Sequence, residues 1–299
     1  MRKSLFFFIC LSSAFTSVVA QRVPPRTRPA VPDTNARAAA AAERQLRELR
    51  EIGVQQKTVA KDKTVAGIPP IYRKPTKEET GALEPPKEVV DKYSEFLRKQ
   101  QTGVVTLNAD ERCGTDDGLV SAEQSCASFQ FPGGGTAYSF RVDSYRTQRL
   151  SDVKLVKNIL ITDSFGQQGI LVDLGEQPIE DVDLKSPGIH FLAAFKPAES
   201  NEDFRTSSRE LEIGVNKDGF LYRLALIAKA NHTFGLRSIA YEGQSPRSIN
   251  GITYDEFGFD RRDDVIVVFK IADIAQNGNV TIVWRELRRG DSPKIKSNK

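Results

Sequence analysis

The chain reads as mainly β with a minor α part: an antiparallel β-sandwich-like domain over residues 104–290, preceded by an extended, partly helical N-terminal arm. Three observations predict this. Apolar spacing changes near residue 104 from a helical period to alternating or continuous runs. Several of those runs flank short turns bearing Gly or Asn. Cys113 and Cys126, the only cysteines left once a leader is removed, suit one disulfide staple.

The leader comes first. Met1-Arg2-Lys3 is a basic start, an apolar stretch follows from Leu5, and Val18-Val19-Ala20 precedes Gln21. This is the three-part pattern of a secretory signal peptide over residues 1–20, cleaved after Ala20. The run falls short of the roughly twenty residues a membrane helix needs, so no transmembrane span is expected after cleavage. An uncleaved signal anchor is the alternative. Cys10 lies inside the apolar run rather than at a cleavage point, which argues against a lipoprotein. The expected location is secreted or periplasmic, where a Cys113–Cys126 bridge would persist.

Residues 21–103 form the arm. Four prolines between Gln21 and Asp33 predict an extended spacer. The alanines of Ala38–Ala42 favour a helix over about 35–52, stopped by Gly53. A Lys-, Thr- and Pro-rich linker follows over 54–85. Pro86 then opens a helix to about Gln101, with Val89, Val90, Tyr93, Phe96 and Leu97 on one face that needs a body to pack on.

From residue 104 the elements are strands. Tyr138–Tyr145 alternates. Three hairpins are expected: Val153–Thr162 with Gly169–Leu174, Phe220–Lys229 with Thr233–Tyr241, and Val265–Ile271 with Val280–Leu287 around Asn277-Gly278. Val265–Phe269 is apolar on both faces and must be covered on both. Val280, Ile282 and Trp284 alternate with Thr281 and Arg285, as an outer strand would. Asn201-Glu202-Asp203 starts a helix that ends before Gly214, and Ile189–Phe195 fits either a helical turn or a strand. Residues 291–299 read as a disordered basic tail.

Charge is uneven. Residues 21–103 hold 17 Lys+Arg against 11 Asp+Glu, residues 104–284 hold 18 against 26, and residues 285–299 hold 6 against 2. Basic ends fit contact with an envelope protein or an anionic polymer, and serve equally as solvated termini. Nucleic-acid binding is not expected, because no basic stretch carries interleaved aromatics.

Candidate chemistry is sparse. With only His190 and His232, a His-rich metal site is impossible, and no cofactor motif is present. His190, among Ile189, Phe191 and Leu192, is expected in the core; His232 is expected exposed in a turn. Gly243-Gln244-Ser245-Pro246-Arg247 lacks the final glycine of a nucleophile elbow. Phe131-Pro132-Gly133-Gly134-Gly135 lacks the Lys-Ser/Thr of a phosphate loop. Asp116 with Asp117, and Asp181 with Asp183, do not match a calcium loop. Asp255, Glu256 and Asp260, set among Tyr254, Phe257 and Phe259, are the candidate acid/base carboxylates of a glycan hydrolase, or simply a charged loop. Tyr222, Arg223, Arg237 and Tyr241 form a candidate binding face if exposed together, or cross-strand pairs if not. The first expectation is a non-enzymatic binding or structural module with unknown partner; the rival is a secreted glycan hydrolase.

Overall fold

The apolar alternation after residue 104 builds antiparallel ladders throughout two main sheets. A computed structural model describes residues 74–114, 123–249 and 252–296. The leader, the 35–52 helix, most of the 54–85 linker, the Asp116–Asp117 pair and the last three residues lie outside the described residues.

Three short helices come first: α1 (Lys77–Thr80), α2 (Lys87–Lys92) and α3 (Ser94–Leu97). Fourteen described strands follow: β1 (Thr102–Leu107), β2 (Ala137–Ser139), β3 (Ser144–Tyr145), β4 (Val153–Val156), β5 (Ile159–Ile161) and β6 (Gln167–Asp173), then β7 (Val215–Lys217), β8 (Phe220–Arg223), β9 (Ala225–Ile227), β10 (Thr233–Ala240), β11 (Pro246–Ile249), β12 (Ile252–Asp255), β13 (Asp263–Ile274) and β14 (Val280–Asp291). Between β6 and β7 run helices α4 (Ile189–Ala194) and α5 (Asn201–Ile213). One sheet has seven strands in the order β1-β14-β13-β10-β6-β8-β7 and another five in the order β3-β2-β4-β5-β9. β11 and β12 form a separate ribbon.

Strand β13 shows how the layers are held. Val265, Val267, Phe269 and Ile271 enter one core, shared with Tyr138, Val153, Leu155 and Leu160 of the five-stranded sheet. Ile266 and Val268 enter a second core on the opposite face, under Val89 and Phe96 of the N-terminal helices, Ile189 and Leu192 of α4, and Leu211 of α5. A strand with both faces covered must be apolar at successive positions, as Val265–Phe269 is. Phe269 stacks on Phe234 of β10, with centroids 5.4 Å apart. Gly235 of β10 is required by close approach: a Cβ there would lie 2.5 Å from Ile189 Cδ1. The missing side chain lets α4 settle onto the sheet.

The helical face expected over 86–101 forms in part, as α2 and α3 separated at Tyr93 and ending at Leu97, with Val90 exposed rather than packed. It buries Val89, Tyr93 and Phe96 against the second core. At roughly 1.5–3 kcal/mol per large apolar side chain, this is substantial anchoring. Helix α5 is capped by Ser200, whose hydroxyl accepts from Asp203 N, and stops at Gly214.

Several expected pairings are corrected. Residues 153–162 reverse on themselves: Lys157 adopts φ +58°, so β4 and β5 pair with each other and β6 crosses to the larger sheet. The stretch 220–229 divides at Leu224, whose N–H turns to Leu211 O. β8 therefore joins β6 and β7, while β9 joins β5. Strand β10 pairs with β13 and β6, not with residues 220–229. β13 and β14 do form the Asn-Gly hairpin. β14 is not an outer strand, because β1 covers its free edge from Thr102↔Arg285 to Leu107↔Val280. Thr281 is buried there, its hydroxyl 3.0 Å from that of Thr106. His190 is exposed rather than in the core. Residues 189–194 are helical, so the buried side belongs to Ile189 and Leu192.

Candidate functional site

The acidic cluster near residue 255 is occupied by arginines. Asp255 Oδ1 accepts from Ser245 N and Phe257 N, shaping the short helical turn Glu256–Phe259. Glu256 is fully buried. Its oxygens accept from Arg247 at 2.9 Å, Arg149 at 2.9 Å and the Ser245 hydroxyl at 2.9 Å. Asp260 Oδ2 accepts from Arg141 at 2.6 Å and Arg262 at 2.9 Å.

Arg141 is the hub of this network. It is 2% exposed and also donates to Asp152 at 2.7 Å and to Gln167 at 2.8 Å. Asp152 receives further bonds from the hydroxyls of Ser139 and Ser238 and from the Arg141 N–H. Burial pushes the Asp152 carboxyl up, but Arg141 and these donors outweigh it and hold it below its ordinary value. The network ties β4, β10 and the 256–262 turn together. It explains the clustered charge without assigning it chemistry.

The candidate binding face is not exposed. Tyr222, Arg237 and Tyr241 are buried. The Tyr222 hydroxyl donates to Gly188 O, and Arg237 forms a forked pair with Asp264 at 2.8 and 2.6 Å. Tyr241 accepts from Ala198 N and donates to Gln168. Arg223 binds Ile213 O at the end of α5. These four residues fasten helices to the sheet, and none joins another as a surface.

Cys113 and Cys126 form the expected disulfide. Asp110 lies near both sulfurs, which the bridge removes as metal ligands. Another buried carboxyl, Asp163, has its Oδ2 without a hydrogen-bond partner. Burial pushes it up to about 7, against the opposing pull of Lys154 and with a smaller push from Glu212.

The structure adds a site built by the topology. The β6–β8 ladder ends at Val172↔Tyr222. Beyond it, Asp173, Leu174 and Gly175 part from Gly219, Phe220 and Leu221, while Leu226, Ile227 and Lys229 approach from the other sheet. The resulting cleft has a volume of about 520 Å³. Gly219, at φ +82°, makes the tight β7–β8 turn that forms one lip. At the rim, Asp173 Oδ2 accepts from Lys229 Nζ at 2.9 Å, and Asp173 Oδ1 from Gly175 N at 2.9 Å. His232 Nδ1 lies 2.8 Å from Asp173 Oδ1, so its turn is partly buried rather than open. Burial alone would raise the Asp173 carboxyl; Lys229, His232 and Gly175 outweigh it and hold it below its ordinary value.

Sequence reasoning missed Asp173 and Lys229. Their separation along the chain conceals their contact, and only the crossing of β8 into β9 brings the two walls together. No protein-family model, curated protein or solved structure matches this chain.

Proposed function

We propose that the chain is an exported, non-enzymatic binding module of the cell envelope or secreted space, freed of its leader after Ala20. The observation that carries the binding reading is the cleft where β6 and β8 part. Its walls are Leu174, Phe220, Leu221, Leu226 and Ile227, with Asp173 and Lys229 at the rim. A concavity of a few hundred Å³ in which apolar side chains share the lining with a few placed polar groups is a usual form of small-ligand site.

The disulfide supports the location, since such bridges persist in oxidising compartments. Among the described residues no helix is long and apolar enough to cross a membrane. The glycan-hydrolase reading finds less support. Glu256 is buried beneath Arg149 and Arg247, out of reach of a leaving-group oxygen.

Fluorescence titration with phenylnaphthylamine, a neutral apolar probe, tests the proposal. Saturable binding that Ile227→Trp removes is the expected result. Turnover of nitrophenyl glycosides that Glu256→Gln abolishes would contradict it.

A further inference from the structure

We propose that the cleft beside Asp173 takes a small amphipathic organic anion, its apolar body against Phe220, Leu221, Leu226 and Ile227 and its acidic head on Lys229. This deepens, and rests on, the binding reading above. The sign of the head group follows from the hydrogen bonds already made at the rim. A carboxylate offers roughly four acceptor sites and no donor. Asp173 already accepts from Gly175 N, His232 Nδ1 and Lys229 Nζ. The Lys229 ammonium carries three donors and gives one of them to Asp173. What the rim has left to offer is chiefly N–H, and its match is an anionic acceptor.

A cationic head would find one acceptor site left on Asp173, against two unspent N–H groups on Lys229. The Lys229 side chain is 53% exposed, so its remaining N–H groups are accessible. Gly175 and Gly219 leave open space above both lips, where a side chain would have narrowed the entrance. The volume, about 520 Å³, admits a ligand with a short hydrocarbon body.

Decanoate, decylammonium and decanol share one apolar body and differ in the charge of the head. Below their micelle concentrations, each is titrated into the full chain and followed by calorimetry. Decanoate should bind saturably at one site and about tenfold or more tighter than decylammonium, the worth of one hydrogen bond to a charged group. Lys229→Gln should cancel that preference. Ile227→Trp should remove all three, and Leu226→Trp on the same wall serves if that variant fails to fold. Equal or tighter binding of decylammonium overturns the anionic class and leaves the cleft as a binding site. Undiminished decanoate binding in both Lys229→Gln and the Trp variant overturns its location. If none of the three binds, the binding reading itself fails.

Discussion

Replacing Arg141 by Met leaves a side chain of similar length but strips the counterion from two buried carboxylates. Asp152 and Asp260 both have side chains 0% exposed, so neither can recover its charge balance from water. Breaking a buried ion pair by removing one partner costs about 3–5 kcal/mol. The two carboxylates are not equally harmed: Asp260 keeps Arg262 at 2.9 Å, whereas Asp152 keeps only two hydroxyls and a backbone N–H. Most of the loss therefore belongs to Asp152, and a total of about 4 kcal/mol is expected. For a domain of this size that lowers the melting temperature by about 10 °C. Urea unfolding followed by tryptophan fluorescence measures it, because Trp284 sits in the core between the sheets.

The pH dependence carries the sharper signature. In the native protein the Asp152 carboxyl is held low, so the stability it contributes is present above its unfolded value, near pH 4, and is lost as pH falls through the folded value. Without Arg141, burial dominates and the same carboxyl takes up a proton in the folded state at a higher pH. The deficit of Arg141→Met should therefore shrink between pH 7 and pH 5. Adding Asp152→Asn should recover part of the loss, since it removes the stranded charge while its carbonyl oxygen still accepts from the Ser139 and Ser238 hydroxyls. A single variant that costs less than about 1 kcal/mol, as an exposed pair would, refutes the hub assigned to Arg141.

Other outcomes follow from single contacts. Asp163→Asn should stabilise the protein at pH 8: a buried carboxyl pushed up to about 7 favours folding only while it holds its proton, so its stability falls as pH rises from about 4 to 7. The gain should be about 3 kcal/mol larger at pH 8 than at pH 5, and a pH-independent effect contradicts the assignment. Gly235→Ala should cost about 1–3 kcal/mol in urea unfolding because its methyl group meets Ile189 and Leu192 of α4; a neutral result would mean α4 does not rest on β10. Replacing Cys113 and Cys126 by Ser should cost about 3 kcal/mol, and an unchanged midpoint would show that the loop is held without its bridge. His190→Ala should leave stability within about 0.5 kcal/mol, whereas a large loss would restore it to the core.

What the sequence revealed depended on whether the signal was local. The Asn277-Gly278 turn, the twofold apolar run Val265–Phe269, the helix opened by Asn201-Glu202-Asp203 and the Cys113–Cys126 pair each declare themselves within a short window, and each forms. The hairpins expected of 153–174 and 220–241 do not form, because neighbours in sequence there are not neighbours in the sheet. Lys157 reverses the chain earlier than Gly166, and Leu224 divides an apolar run between two sheets. His190 failed because a one-residue shift on a helix moves a side chain to another face. The acidic residues near 255 were legible as a cluster, but their arginine partners at 141 and 149 lie more than a hundred positions away. The cleft was invisible for the same reason: it lies where a ladder stops, and no residue in it marks that point.

The claim of an exported, bridged binding module is tested most directly by intact-mass measurement on protein recovered from its native host under alkylating conditions without reductant. An exported, bridged protein should begin at Gln21 and carry no alkylated cysteine. A chain retaining Met1 with both Cys113 and Cys126 alkylated would contradict it.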